Sequence, residues 1–220
     1  MSNYLRLKKM LYVVSLAAVS IVLALIEIPW PFAAFLKLDF SEVAILVALL
    51  VLGTKETLVV VLIRTIARRL FRGFAPDELV GEMLAMFASF SIILAYNLSR
   101  KVLKIKQRPL LYEVSVNGNK VNTKELIVTT AMITISLTVI LFLINFFVAT
   151  PLYYTLPPYG ISISGRVHFT VFSFIPDSPL TYQSYLWTTL GLYIPFNLVK
   201  GLLVSLVFML LKPRMKYLEL

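Results

Sequence analysis

The sequence predicts an all-α integral membrane protein with six transmembrane helices, and three observations carry that reading. Of its 220 residues, 59% are hydrophobic and 15% charged, with a mean hydropathy of +0.87, far more apolar than an ordinary globular domain. A water-surrounded core cannot hide so much apolar surface, whereas a bilayer asks the outer faces of helices to be apolar as well. Uncharged stretches recur along the chain, several of them close to the roughly 20 residues that a spanning helix needs. The basic residues are unevenly shared among the connections between those stretches, as in proteins whose cytoplasmic loops hold the Lys and Arg. Length leaves room for roughly six spans of about 20 residues, so residues 1–220 are read as one domain.

Met10–Ile26 is uncharged over 17 residues after Arg6, Lys8 and Lys9. It reads as a first helix rather than a leader, because the run ends in Glu27 and Pro29-Trp30-Pro31 instead of a small-residue cleavage site. Val43–Thr54 and Thr57–Ile63, on either side of Lys55-Glu56, read as two helices with polar ends. Met83–Leu98 is the fourth helix, Leu126–Thr150 the fifth, with no charge over 25 residues, and Tyr185–Leu211 the sixth, interrupted by Lys200 alone.

Between the fourth and fifth helices, Ser99–Lys124 holds seven of the 21 basic residues. With the N-terminal three, Lys55, and Lys212, Arg214 and Lys216, fourteen basic residues lie on the side that a six-helix path makes internal, so both termini are expected in the cytoplasm. Within that loop, Tyr112–Val116 before Asn117-Gly118 reads as a small interfacial hairpin. Pro151–Leu180 has Arg166 as its one basic residue and is expected outside.

Several classes of function are excluded by composition. The chain has no cysteine and one histidine, so disulfide and thiolate chemistry and a histidine-rich metal site are ruled out. The net charge of +10 would suggest nucleic acid in a soluble protein, but here it follows the membrane bias of the loops. No phosphate-binding Gly-x-x-x-x-Gly-Lys-Ser/Thr loop is present, so energy for any uphill work comes from outside this chain. His168 lacks a second histidine or a hydroxyl and carboxylate pattern that would make it catalytic.

Three groups of residues stand out. Arg64, Arg68 and Arg72 form one stripe of the third helix, with Arg69 beside it. An outward-going third helix places them against the positive-inside bias. Pairing with carboxylates such as Asp77, Glu78 and Glu82, contact with lipid phosphate, and a phosphate on a ligand are all open. Asn197 and Lys200 share a face of the sixth helix, where a charge is expensive without a partner. Asn145 is expected near the outer end of the fifth. The three could meet beneath the external loop, and a carboxamide offers donor and acceptor side by side, which suits the imide or amide edge of a flat heterocycle. Hydrogen bonding between helices and an acidic partner for Lys200 would explain the same residues. Ala17, Ala18, Ser20 and Ala24 line the first helix with small side chains, permitting close approach of another helix, inside the chain or from a partner.

Phe35-Leu36-Lys37-Leu38-Asp39-Phe40-Ser41-Glu42 resembles the Leu-Lys-Tyr-Asp-Phe-Ser signature of the substrate-binding S-components of energy-coupling factor (ECF) transporters, most closely the riboflavin-specific branch. Gly81-Glu82-Met83-Leu84-Ala85, Asn145-Phe146-Phe147, Thr150-Pro151-Leu152-Tyr153-Tyr154 and Asn197-Leu198-Val199-Lys200 are similar to the same branch. The resemblance implies six helices holding one vitamin on the external side, under the connection between the first two helices. It also implies a transmembrane scaffold subunit and two ATPase subunits as partners, and no bound cofactor. Asn145, Asn197 and Lys200 would then hold the polar edge of the flavin ring, Leu38 and neighbouring apolar residues would cover the ring, and Asp39 and Glu82 would serve the ribityl hydroxyls or the position of the loop. The face with Ala17, Ala18, Ser20 and Ala24 would meet a partner. The alternatives are an S-component for another vitamin or for flavin mononucleotide, or an integral lipid-modifying enzyme, for which no Asp-x-x-Asp cluster is found.

Overall fold

The computed structural model describes residues 3–105, 109, 111, 122–155 and 182–217. α1 (Asn3–Leu25) leads into a two-stranded hairpin, β1 (Ile28–Trp30) and β2 (Ala33–Leu38), followed by α2 (Ser41–Leu52), α3 (Thr54–Arg72) and α4 (Pro76–Val102). α5 (Thr123–Ile144) runs into a π-helical turn, Asn145–Ala149, and a short α6 (Thr150–Thr155). α7 (Tyr182–Leu211) ends in a 3-10 stretch, Lys212–Tyr217. Among the described residues, four helical stretches are long and apolar enough to cross a membrane: Asn3–Leu25, Glu78–Val102, Thr123–Leu152 and Gln183–Met215.

The two helices outside that set explain themselves by burial. α2 is only 12 residues long but every one of them is buried, as suits a helix that is apolar all round and sits at the centre. It forms the middle of a core to which α1, α3, α4, α5 and α7 contribute. α3 is turned inside out by the standards of a soluble protein. Arg64 is fully buried, while Leu70 and Phe71 are 70% and 73% exposed. Water would reward the opposite arrangement.

The chain reverses at two glycines with φ of 90° (Gly53) and 86° (Gly73), values that side chains with a Cβ adopt poorly. Each donates its N–H back into the preceding helix, Gly53 to Leu49 O at 3.1 Å and Gly73 to Arg69 O at 2.8 Å. The break between the second and third helices is therefore Gly53, and Lys55-Glu56 lies inside α3. α3 also runs on to Arg72, well past Ile63, and α4 starts at Pro76 instead of Met83, so Glu82 stands in the second turn of α4 and not at its entry. At the other end of the bundle Asn122 caps α5, its side chain accepting the N–H of Lys124 at 3.3 Å. α5 and α7 pack at Gly201, where an added Cβ would come within 2.8 Å of Thr134 Cα.

The β1–β2 hairpin lies in a stretch that the sequence reading leaves as a connection. Ile28 pairs with Leu38 and Pro29 with Lys37, and the register slips beside Trp30. Apolar packing secures it: Trp30 meets Phe196 edge-on at 5.7 Å, and Leu36 joins Tyr193 and Phe196 in a second apolar cluster. The hairpin expected around Asn117-Gly118, most of the connection Pro151–Leu180 with Arg166 and His168, and the side chain of Asp77 lie outside the described residues.

Candidate functional site

Beneath the hairpin, walled by α3, α4, the end of α5 and the Tyr185–Lys200 stretch of α7, lies a cavity of about 540 Å³, within the range that binds small molecules. Asp39, Glu82, Asn145, Asn197 and Lys200 all line it. Leu38 does not. Leu36 takes that place in the wall, and Leu38 packs on the Leu36, Tyr193 and Phe196 cluster.

One end of the cavity is polar and compact. Lys200 Nζ donates to Asp39 Oδ2 at 3.2 Å, and Asp39 Oδ1 accepts the backbone N–H of Ser41 at 3.0 Å and the Ser41 hydroxyl. Burial by itself would push the Asp39 carboxyl up, but Lys200, the Ser41 bonds and the Arg64 charge outweigh it and bring the group down to about 2. Asn145 donates its side-chain N–H to Leu141 O at 2.7 Å. Asn197 differs from these. It is 1% exposed, yet neither its Oδ1 nor its Nδ2 has a hydrogen-bond partner among the described residues, and a buried polar group left without one costs roughly 1–3 kcal/mol. Tyr185, Tyr193 and Phe196 line the same cavity. Tyr185 donates to Phe146 O and Tyr193 shares a bond with Thr150, both at 2.7 Å, which ties α7 to the π turn and α6. A proline within α7, Pro195, lacks the N–H that a helix interior uses.

The other end is an ion network. Glu27, between α1 and β1, receives Lys37 at 2.8 Å, Arg68 at 3.1 Å and Arg72 at 2.5 Å. Its burial would raise the carboxyl, but hydrogen bonds and charge from Arg72 and Lys37 hold it below the ordinary value. Glu82 lies 3.4 Å from both Arg68 and Arg69, and Glu78 is 3.2 Å from Arg69. Arg64 stands apart from the cavity, paired with Glu42 at 3.1 Å. The arginine stripe is thus engaged by carboxylates. Glu78 and Glu82 were foreseeable from their proximity in sequence; Glu27 and Glu42 come from elements that only folding brings near.

The small residues of α1 are used inside the chain. Ala17, Ser20 and Ala24 are buried, and Ser20 Oγ donates to Ser41 O at 3.3 Å. These three face the core and offer no outer surface, whereas Ala18 is exposed.

A match to the family of ECF transporter substrate-specific components extends over residues 8–212. The chain belongs to this family. As an ECF substrate-specific component it is a transport subunit and not an enzyme. It is 28% identical over 209 residues to the riboflavin transporter RibU of Staphylococcus aureus, covering 94% of this chain and 90% of that protein. It is 27% identical over 211 residues to riboflavin transporter RibU of Streptococcus thermophilus, covering 95% and 83%. It is also 24% identical over 214 residues to riboflavin transporter FmnP of Bacillus subtilis, covering 96% and 94%. A solved S component of a bacterial ECF transporter superposes with a TM-score of 0.63 at 27% identity, covering 96% of each chain. Of the residues that line the cavity, sequence reading did not assign Glu27, Tyr185, Tyr193 and Phe196 to it, whereas Leu36 is one of the apolar neighbours of Leu38 in the signature stretch. Nothing local distinguishes the aromatic residues of α7 from ordinary helix packing.

Proposed function

We propose that this S component captures riboflavin on the external side of the cell membrane and delivers it inward with a separate ATP-driven energy-coupling module. The observation that carries the reading is Asn197, a buried carboxamide without hydrogen-bond partners among the described residues, on the wall of a cavity of about 540 Å³. The imide edge of a flavin offers the acceptor and donor that this side chain lacks. Asn145 and Lys200 complete the polar edge, and Leu36, Tyr193 and Phe196 face the ring. Asp39 and Glu82 receive ribityl hydroxyls, Glu82 having both carboxylate oxygens without hydrogen-bond donors. Riboflavin is cargo in this reading, not a cofactor.

The chain works as one domain with six membrane-spanning helices and both termini in the cytoplasm, supported by the basic residues that flank the ends of the spans. A scaffold subunit and two ATPase subunits supply the energy. Among the small residues of α1, Ala18 is the one with an exposed side chain to offer a partner. Titration of the purified protein with riboflavin tests the assignment: one riboflavin per chain with quenched flavin fluorescence is expected. A folded sample that leaves micromolar riboflavin unquenched refutes it.

A further inference from the structure

We propose that Arg64, which does not line the cavity, is a positioning residue for it, fixing Ser41, through Ser41 the carboxylate of Asp39, and through Asp39 the ammonium of Lys200. The inference rests on the riboflavin reading of the site. Arg64 is fully buried on α3 and each terminal nitrogen of its guanidinium is engaged. Nη1 donates to Glu42 Oε1 at 3.1 Å and to Ser41 Oγ at 3.2 Å. Nη2 donates to Ser89 Oγ at 2.8 Å and to Ala85 O at 3.4 Å, and Ser89 Oγ in turn donates to Glu42 Oε2 at 2.9 Å. The planar fork is thereby held between the start of α2 and the middle of α4, with little freedom left.

Charge balance alone does not require the contact to Ser41. Glu42 is 1% exposed and already neutralises Arg64. Asp39 and Lys200 neutralise each other. The two pairs are joined by one hydroxyl. Because Ser41 Oγ accepts from Arg64, its single proton is directed to Asp39 Oδ1. With Oδ1 fixed by that proton and by the Ser41 N–H, the second oxygen, Oδ2, is set in space and receives Lys200. A lysine needs such a guide, because its four-carbon stem leaves the ammonium many positions. A buried ion pair contributes little net stability against an apolar replacement, which makes positioning the better account of a guanidinium at this depth.

The experiment is a riboflavin titration in detergent, with thermal unfolding followed in parallel, on the parent, Ser41→Ala, and the paired Arg64→Met with Glu42→Gln. Each is measured with Asp39 and again with Asp39→Asn. Ser41→Ala cuts the link without unburdening a charge, so it decides the matter even where the paired variant fails to fold. With Asp39 present, both variants should bind about tenfold more weakly while unfolding near the parent's temperature. In the Asp39→Asn background the further loss should vanish, because the relay is already cut. Parent-like affinity of folded Ser41→Ala, or an equal loss in both backgrounds, overturns the inference while leaving the riboflavin reading intact. A folded parent that does not bind riboflavin overturns both.

Discussion

Replacing Lys200 by methionine should weaken riboflavin binding about ten- to a hundredfold. Methionine keeps the apolar stem and removes the ammonium, so the ligand loses one charge-assisted hydrogen bond of about 1.5–3 kcal/mol. The structure changes what the same substitution does to folding. Seen in isolation, a lysine at this depth is a cost that methionine would relieve. Lys200 is instead 3.2 Å from Asp39, and its removal leaves a buried carboxylate with only Ser41 and the more distant Arg64 to stabilise it. Breaking a buried pair from one side costs about 3–5 kcal/mol, and the two remaining supports put the loss toward the lower end. Lys200→Met alone is therefore expected to unfold at a lower temperature than the parent. Adding Asp39→Asn removes the stranded charge and should restore most of the thermal stability without restoring the affinity. Flavin fluorescence titration and thermal unfolding in the same detergent read the two effects separately. A Lys200→Met protein that binds like the parent, or a doubly substituted protein that regains parental affinity, would refute the assignment of Lys200 as a ligand contact.

Asn197→Leu should have the opposite signature, unfolding at or above the parental temperature because an unpaired buried carboxamide is lost, yet binding riboflavin several-fold more weakly for want of a neutral hydrogen bond of about 0.5–1.5 kcal/mol; unchanged affinity would move the ring edge elsewhere. Asp39 sits well below the ordinary carboxylate range, so its stabilising contribution is complete above the unfolded value near 3.8 and is lost only as pH falls toward 2; affinity should be flat between about pH 5 and 8, and a midpoint near pH 5 would show that Asp39 is not held as described. Gly201→Ala sets a Cβ 2.8 Å from Thr134 Cα, and since backbone cannot yield as a side-chain tip does, thermal unfolding should report a loss of about 1–3 kcal/mol. Single cysteines at Ser115 and Ser164, in a chain without native cysteine, should label from outside intact cells at 164 and not at 115; the reverse pattern overturns the proposed orientation.

Apolar composition and run length sufficed to recognise a helical membrane protein, because the bilayer imposes its requirement on every residue of a span and leaves it written locally. Asn145, Asn197 and Lys200 could be singled out for a related reason: a polar side chain within an apolar run is conspicuous wherever the run goes. The Leu36-to-Ser41 stretch was legible as a signature, but its use was not. Whether Leu36 or Leu38 faces the cavity depends on a hairpin whose packing against Phe196 is long-range, and the alternating pattern offers both leucines to the same side. The arginines of α3 were visible as a stripe, yet their division between Glu42, Glu27 and Glu82 was not, since each carboxylate arrives from a different element and charge pairing carries no sequence spacing of its own. The same holds for the small residues of α1, which permit a close approach without naming the helix that makes it. What is local in the chain, its hydropathy and the order of its apolar runs, was determined by sequence alone, whereas the helix ends at Gly53, Arg72 and Pro76 were not. What depends on which surfaces meet, the seat of the β1–β2 hairpin, the ion pairs and the surroundings of Asn197, was decided only when the helices packed.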